Sequence, residues 1–295
     1  MQAIGRGWLA CSCRKGPQVI DLHTHSRFSD GSASPTEVVD LAASVGCSAL
    51  ALTDHDGLAG LDEAARRADA LGIEFVRGCE VSVSFAPGSL HVLCYFVPDA
   101  GPLPDKLVEL RAERERRNER LVELFRDLGI DLTLEEVELE AGSDVVGRPH
   151  FAAVLMRRGV VTSVAEAFDR FLAKGAPAYV EREHVDAAEI FDAASRSGAL
   201  TSIAHPMSLG LAPAELDKTL HTFVEQGATG LESYYSSYDV LLQADLVSMA
   251  RRHGLVPTGG SDFHGSFKPG LDVGRGRGDL QVPDEVLVEL QARRP

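Results

Sequence analysis

Short apolar segments alternate with amphipathic stretches along most of this chain, and the apolar segments tend to end in histidine or aspartate. Val19 to Leu22 runs into His23-Thr24-His25, and Ser48 to Thr53 into Asp54-His55-Asp56. Leu200 to Ala204 runs into His205, and Val256 to Gly259 into Ser261-Asp262-Phe263-His264. Repeated strand–helix units build a parallel α/β barrel or open sheet, in which side chains at the strand C-termini converge on one face. That convergence lets residues from opposite ends of the chain share one site.

Local signals place the intervening helices. Ser34-Pro35-Thr36-Glu37 combines a cap, a first-turn proline and a glutamate three residues after the cap, and Gly46 closes the helix that follows. Leu61 to Leu71 is a helix stopped by Gly72. Helices are also expected at Asp186 to Arg196, Pro213 to Gln226 and Val240 to His253, and a strand at Gly230 to Tyr234. Glu74 to Val83 and Leu90 to Val97 read as two strands pairing through the turn at Ala86-Pro87-Gly88. The texture changes near Pro102. A charged helix from Asp105 to Leu128, closed by Gly129, is followed by helices at Leu134 to Ala141 and Val164 to Ala173. The expected organisation is an N-terminal extension over 1–17, a barrel over 18–102 and 176–285, and a helical insertion over 103–175.

Composition narrows the function classes. With 29 basic and 44 acidic side chains the net charge is -15, which argues against sequence-independent binding of duplex DNA. It leaves room for a small anion, because bound divalent cations reverse the local potential. No apolar run is long enough to span a bilayer, so no membrane partner is expected. The cysteines number five, with no zinc-ribbon spacing. Cys47, Cys79 and Cys94 lie in apolar strand-like stretches and read as buried thiols, which fits a reducing cytoplasm, whereas Cys11 and Cys13 read as incidental.

Of the ten histidines, His184, His221 and His253 fall in polar stretches and read as surface residues. The others sit in the motifs. In an extended strand residues i and i+2 point the same way, so His23 and His25 can grip one metal ion, and Asp262 and His264 stand in the same relation. Glu80 has apolar flanks that turn it inward, where a carboxylate needs a cation and can bridge two. His91 is a further candidate ligand on the neighbouring strand. His150 follows Arg148-Pro149 at the end of the insertion, and Asp30 and His55 can complete a third site. Nitrogen and oxygen donors together suit Mn²⁺, Fe²⁺ or Zn²⁺. So many ligands imply a multinuclear centre, and such centres commonly hydrolyse phosphate esters.

Taken together, His23-Thr24-His25, Asp30, Thr53-Asp54-His55-Asp56, Glu80, His91, His150, Ala204-His205-Pro206 and Asp262-Phe263-His264 resemble the PHP (polymerase and histidinol phosphatase) family of metal-dependent phosphoesterases. The resemblance spans about 19–275 and implies a distorted (β/α)7 barrel holding two to three divalent ions. It assigns His23, His25, Glu80 and Asp262 to one ion, Glu80, His91 and His150 to a second, and Asp30, His55 and His264 to a third. The charged insertion, Asp30-Gly31-Ser32 and Gly147-Arg148-Pro149-His150 look more like the members that act on nucleotide phosphates than like histidinol phosphatases.

The activity this implies is hydrolysis of a nucleotide phosphate monoester. The best candidate is the 3′-phosphate of a 3′,5′-bisphosphate, releasing AMP, with 5′-to-3′ trimming of short RNA beside it. The other readings are histidinol phosphate hydrolysis and a non-catalytic metal-binding module. The expected partner is therefore a small nucleotide phosphate or a short oligonucleotide. Arg148 is expected to clamp a phosphoryl oxygen, and His205 to clamp or to protonate the leaving group. Asp54 and Asp56 are expected to orient ligand imidazoles. On the long helix, Arg111, Arg114, Arg116, Arg117 and Arg120 alternate with glutamates, as on a solvated face. The functional alternative turns Arg117 or Asn118 toward the barrel mouth to bind a second phosphate or the base. Tyr234 and Tyr235 are candidates for stacking a base or for packing.

Overall fold

A computed structural model describes residues 19–141, 146–181 and 185–295. Cys11, Cys13, His184 and the expected N-terminal extension lie outside the described residues.

Seven strands form one sheet in sequence order: β1 Val19–Asp21, β2 Cys47–Leu52, β3 Glu74–Val83, β4 Leu90–Tyr95, β5 Leu200–Ile203, β6 Gly230–Tyr235 and β7 Val256–Gly260. All neighbours are parallel except β4, which is antiparallel to both β3 and β5. The alternating strand–helix pattern is thus interrupted once, by the β3–β4 hairpin. Reversing β4 brings its first residues, His91 among them, to the face where the other strands end.

The sheet nearly closes into a barrel, because β1 and β7 meet beyond their regular spans. Leu22 donates to the Gly259 carbonyl at 3.2 Å, Asp262 to that of His23 at 2.8 Å, and His25 to that of Phe263 at 2.9 Å. Asp21, fully buried, locks this seam by accepting from the backbone N–H groups of His23 (3.2 Å), Ser261 (2.9 Å) and Gly274 (2.7 Å). A side chain at Gly260 would overlap the backbone of His23, so the close approach needs glycine here.

Helices cover the outside: α1 Pro35–Ser44, α2 Leu61–Leu71, α7 Ala187–Arg196, α8 Pro213–Glu225 and α9 Val240–Arg252. The expected capping box is present, with Ser34 accepting from Glu37 N–H and Glu37 from Ser34 N–H. Gly72 ends α2 in the left-handed conformation. Beyond the expected barrel boundary, α10 (Glu285–Ala292) packs Val286, Leu287 and Leu290 with Ile20, Leu22 and Tyr95 of the barrel.

Between β4 and α7 lie α3 Pro102–Asp127, α4 Leu134–Ala141, α5 Arg148–Arg157 and α6 Val164–Ala167. These helices share an apolar cluster that includes Leu121, Phe125, Val137, Phe151, Leu155 and Leu172. The single helix expected over Val164 to Ala173 is a short α-turn followed by a π-helical turn at Phe168–Leu172. The helix α5 has no counterpart in the sequence reading. Its signals are the proline at its second position and the buried residues Phe151, Ala152, Val154 and Leu155.

Replacing Asp21 with alanine strips three N–H groups of their acceptor. Each buried donor left unsatisfied costs about 1–3 kcal/mol, so Asp21→Ala is expected to lower stability by about 3 kcal/mol or more. Urea denaturation checks this against Asp40→Ala, which removes only an exposed ion pair with Arg67 and is expected to cost under about 1 kcal/mol.

Candidate metal centre

The residues that follow β1, β2 and β7, together with Glu80 of β3, His91 of β4 and His205 after β5, meet at one end of the barrel. His23 and His25 lie on the same side of the chain, with their Nε2 atoms 3.1 Å apart. Glu80 Oε2 stands 3.4 and 3.2 Å from these nitrogens, and Asp262 Oδ1 3.4 and 3.3 Å. Ligands about 2.0–2.2 Å from a tetrahedral ion are separated from one another by about 3.3–3.6 Å. The four donor atoms therefore fit a first-row divalent ion in both chemistry and spacing.

Two further groups adjoin this one. His91 Nδ1 lies 2.9 Å from Glu80 Oε1, and His55 Nδ1 lies 3.2 Å from Glu80 Oε2. Asp30 faces His264 Nε2 at 3.1 Å, and His25 Nδ1 and His55 Nε2 at 3.6 Å each. Each set could hold an ion. The first and third groupings implied by the resemblance are thus brought together.

The second is brought together only in part. His55, not His150, stands with Glu80 and His91, and His150 belongs to none of the donor groups among the described residues. Its Nδ1 accepts the Gly147 N–H at 3.1 Å, which ties the ring to the start of α5, although the residue still lines the cavity above the cluster.

Burial and charge decide the protonation states. Burial opposes ionisation of Glu80, yet the imidazoles of His55, His91 and His23 outweigh it and hold the carboxyl well below its usual range. Asp262 behaves likewise, with His23, His25 and Lys268 overcoming burial. Burial would make His25 easier to deprotonate, but Asp262 and Glu80 reverse this and raise it to about 9. Burial pushes His55 down to about 4, against the opposing pull of Glu80 and Asp30.

Several supporting groups have no motif of their own. Glu232, fully buried on β6, lies 2.8 Å from His23 Nδ1 and accepts the His205 backbone N–H at 2.5 Å. A glutamate inside an apolar strand is a signal that could have marked it, since a buried carboxylate needs partners. Asp262 Oδ2 accepts from Tyr235 Oη and from Lys268 Nζ, both at 2.6 Å, which leaves Oδ1 for the cluster. Nothing in the local sequence marks Lys268.

The remaining expected residues divide. His205 is at the cluster, with Nε2 3.1 Å from Glu80 Oε1 and Nδ1 3.0 Å from Ser208 Oγ. Asp54 touches no imidazole. It accepts from Ser26 N–H, Ser26 Oγ and Ser29 Oγ, all at 2.7 Å, and acts on His25 through Ser29, 3.4 Å from His25 Nδ1. Asp56 accepts from Arg114 and from Ser82 N–H. Arg148 donates to the Leu172 carbonyl at 3.1 Å, with its guanidinium near the rings of Phe168 and Tyr179, instead of pointing at the cluster.

Asn118 is buried and donates to the Val146 carbonyl, so it serves the insertion rather than the mouth. Tyr234 packs with the barrel-interior cluster near Arg251 and Glu289, because a register shift between Glu232 and Tyr234 turns Tyr235, not Tyr234, toward the site. His221 is exposed as expected, whereas His253 is largely covered and pairs with Asp217. Cys47, Cys79 and Cys94 are free and buried. No helix among the described residues is long and apolar enough to cross a membrane.

The cavity above the cluster has a volume of about 420 Å³. Asp30, His55, His91 and His264 line it, together with Arg114, Glu140 and His150 of the helices between β4 and α7 and with Phe267 and Lys268 after β7.

This chain is similar to a 3′,5′-nucleoside bisphosphate phosphatase of Chromobacterium violaceum, 33% identical over 93% of this chain and 97% of the relative. It is similar to a 5′-3′ exoribonuclease of Haemophilus influenzae, 31% identical over 90% of this chain and 96% of the relative. A solved structure from Bifidobacterium adolescentis, provisionally described as a metal-dependent phosphoesterase, superposes with a TM-score of 0.78 at 28% identity, covering 95% of this chain and 98% of that one. The PHP domain model matches residues 21–134. In sequence, barrel and clustered histidines alike, the chain belongs to the PHP domain family.

Proposed function

We propose that this chain hydrolyses a phosphate monoester of a nucleotide, best represented by the 3′-phosphate of a 3′,5′-nucleotide bisphosphate, releasing AMP. Trimming of short RNA from its 5′ end is a second use of the same site. The reading rests on the four donor atoms of His23, His25, Glu80 and Asp262 at tetrahedral spacing beneath a cavity large enough for a nucleotide. The names of the relatives support the substrate class.

Two to three divalent ions, Mn²⁺, Fe²⁺ or Zn²⁺, would be held by His23, His25 and Glu80 with the adjoining Asp262, by His55, Glu80 and His91, and by Asp30, His55, His25 and His264. Bound there, such ions supply Lewis acidity toward the phosphoryl oxygens and lower the pKa of water. The chain's own groups do the rest. Glu232 holds His23 through Nδ1 and so presents Nε2 to the cluster. Burial would lower the His205 pKa, but Glu80 raises it, which suits His205 to carry the proton that the leaving ribose oxygen takes up. Tyr235 and Lys268 fix the orientation of Asp262.

Phosphate release from adenosine 3′,5′-bisphosphate by the Mn²⁺-loaded protein, with histidinol phosphate alongside, tests the assignment. Fast release from the bisphosphate, reduced at least about 100-fold in Asp262→Ala, is expected. Preference for histidinol phosphate would sink the nucleotide reading. Glu232→Ala, which removes no donor atom of the cluster, is expected to cost about 10–100-fold in metal affinity, read by competition with a chelating dye.

The raised His25 and the depressed Glu80 and Asp262 also set the pH response of the chelated protein. The contribution of His25 is fully present below its ordinary value of 6.5 and is lost as pH rises through about 9. Those of Glu80 and Asp262 are present above the ordinary carboxylate range and are lost as pH falls through their depressed values. Thermal unfolding of the chelated protein is therefore expected to show a falling Tm from pH 6.5 to 9. Added Mn²⁺ should restore more stability at pH 8 than at pH 6, since binding displaces the His25 proton. A metal-induced shift independent of pH would count against this account.

A further inference from the structure

The cavity above the cluster has two kinds of lining. Its polar part continues past Ser82, His91 and Arg114 into a smaller cavity of about 230 Å³. Ala153, Val164 and Phe267 line the larger cavity only, and with Pro149 they make up its apolar part. Phe267 is 56% exposed, the one exposed aromatic side chain among the described residues, and Val164 is 44% exposed. Scattered aliphatic side chains on a surface need no explanation. A phenyl ring left in water where it lines a cavity beside a donor cluster is a different matter, because apolar surface gathered at such a place marks a binding site.

The turn that carries Phe267 is braced on both sides. Ser32 donates its N–H to the His264 carbonyl at 3.1 Å, and its Oγ accepts the Ser266 N–H at 2.8 Å. Gly265 lies against Ser32 with a φ of 64°, and a β-carbon there would overlap Ser32 Oγ, so the turn needs glycine. After Phe267, Lys268 donates its N–H to the Gly265 carbonyl at 3.3 Å and its Nζ to Asp262 Oδ2 at 2.6 Å. The ring is thus tied through its neighbours to His264 and Asp262, both members of the donor groups. A rigid aromatic surface of this kind meets a flat partner at small cost in conformational entropy.

We infer that Phe267, together with Pro149, Ala153 and Val164, is the subsite for the nucleobase, held by stacking and apolar contact rather than by hydrogen bonds to its edge. The inference rests on the nucleotide reading given above. With the reacting phosphate at the clustered donors, the rest of the nucleotide lies in the same cavity, and a flat ring is the part of it that these side chains fit. Neither tyrosine considered from the sequence takes this place. Tyr234 packs into the barrel cluster, Tyr235 gives its hydroxyl to Asp262, and Phe267 is the one phenylalanine, tyrosine or tryptophan among the described residues that lines the cavity. Stacking on one ring accepts every base, because each has a π face. Phe267 therefore makes the site favour nucleotides over phosphate esters of equal charge that carry no base.

The test compares adenosine 3′,5′-bisphosphate with 1,4-anhydroribitol 3,5-bisphosphate, which keeps the ribose ring and both phosphates and lacks the base. Phosphate release is measured with the full-length Mn²⁺-loaded protein, for the wild type, Phe267→Ala and Phe267→Tyr. The wild type is expected to favour the nucleotide about tenfold or more in kcat/KM, mainly through KM, and Phe267→Ala to bring the two substrates near equality. Phe267→Tyr, which keeps a flat ring, should retain the preference. Mn²⁺ affinity, read by competition with a chelating dye, is expected to be the same in all three, which separates loss of the base contact from a disturbed Asp262. No preference in the wild type, or a preference that survives Phe267→Ala, overturns the inference. A wild-type dimer that Phe267→Ala dissociates in sedimentation would give the ring to a contact between copies and overturns it as well. If neither compound is hydrolysed, the functional reading fails by itself. Calorimetric affinities of the same two compounds then decide the subsite: an advantage for the nucleotide that Phe267→Ala removes upholds it, and equal affinities reject it.

Discussion

One carboxylate organises the centre of this molecule. Glu80 is almost wholly buried, and imidazoles from His23, His25, His55, His91 and His205 all reach its two oxygens. A lone carboxylate at that depth would be neutralised by desolvation, so the imidazoles are what keep it ionised. The geometry of the barrel follows from bringing them there. β4 must run backward for His91 to arrive at the strand-end face, and β3 must continue beyond Glu80 to pair with it, as Ser82 does opposite His91. The bridge between His55 and Glu80 carries the β2 motif to the same level. The β1–β7 seam, locked by Asp21, sets His23 and His25 against Asp262.

Backbone strain gathers at the same place. Asp56, His205 and Asp262 adopt positive φ angles of 49°, 27° and 55° without being glycine. Each follows or ends a segment that delivers a group to the cluster, and each is held by partners that outweigh the local cost. Glu232 accepts the His205 N–H, Tyr235 and Lys268 hold Asp262, and Arg114 holds Asp56. The left-handed turn at Asp262 lets its Oδ1 face His23 and His25 while Oδ2 faces away.

What the sequence reveals about this arrangement depends on distance along the chain. The histidine pair at i and i+2, the cap at Ser34 and the stop at Gly72 are local features, and their consequences are local. The donor set was legible for the same reason, since each short motif sits at a strand end. Which imidazole shares Glu80 with His91 is decided by the tertiary path of α5, and His150 spends its Nδ1 on Gly147 instead. Glu232 and Lys268 act on residues far away in sequence, and no spacing rule connects them to His23 or Asp262. The turning of Tyr235 toward the site in place of Tyr234 comes from a one-residue irregularity in the β6–β7 register, which alternation alone cannot locate. The inward arginines were more accessible. On α3 the buried stripe runs through Leu103, Leu107 and Leu110 and resumes at Asn118, Leu121, Val122 and Phe125, and Arg111 and Arg114 occupy the gap at helical spacing. A stripe of that kind interrupted by guanidinium groups marks where a helix leaves its core and crosses a polar cavity.

That gap divides the labour of the molecule. The barrel supplies the histidines and carboxylates, and it ties them to one another through hydrogen bonds that leave little freedom to vary. The insertion has an apolar cluster of its own in Phe125, Phe151 and Leu155, and it meets the donor groups through Arg114 on Asp56 and through the cavity walls at Gly147, Pro149 and His150. Changes on the cavity side of α3 and α5 can therefore alter which molecule fits above the cluster while the donor atoms below keep their spacing. A site built this way keeps one reaction and changes its substrate through a surface that shares few packing contacts with the reacting groups. Among the described residues, Arg114, Arg117 and Arg148 stand on the insertion side of these cavities, in a chain of net charge -15.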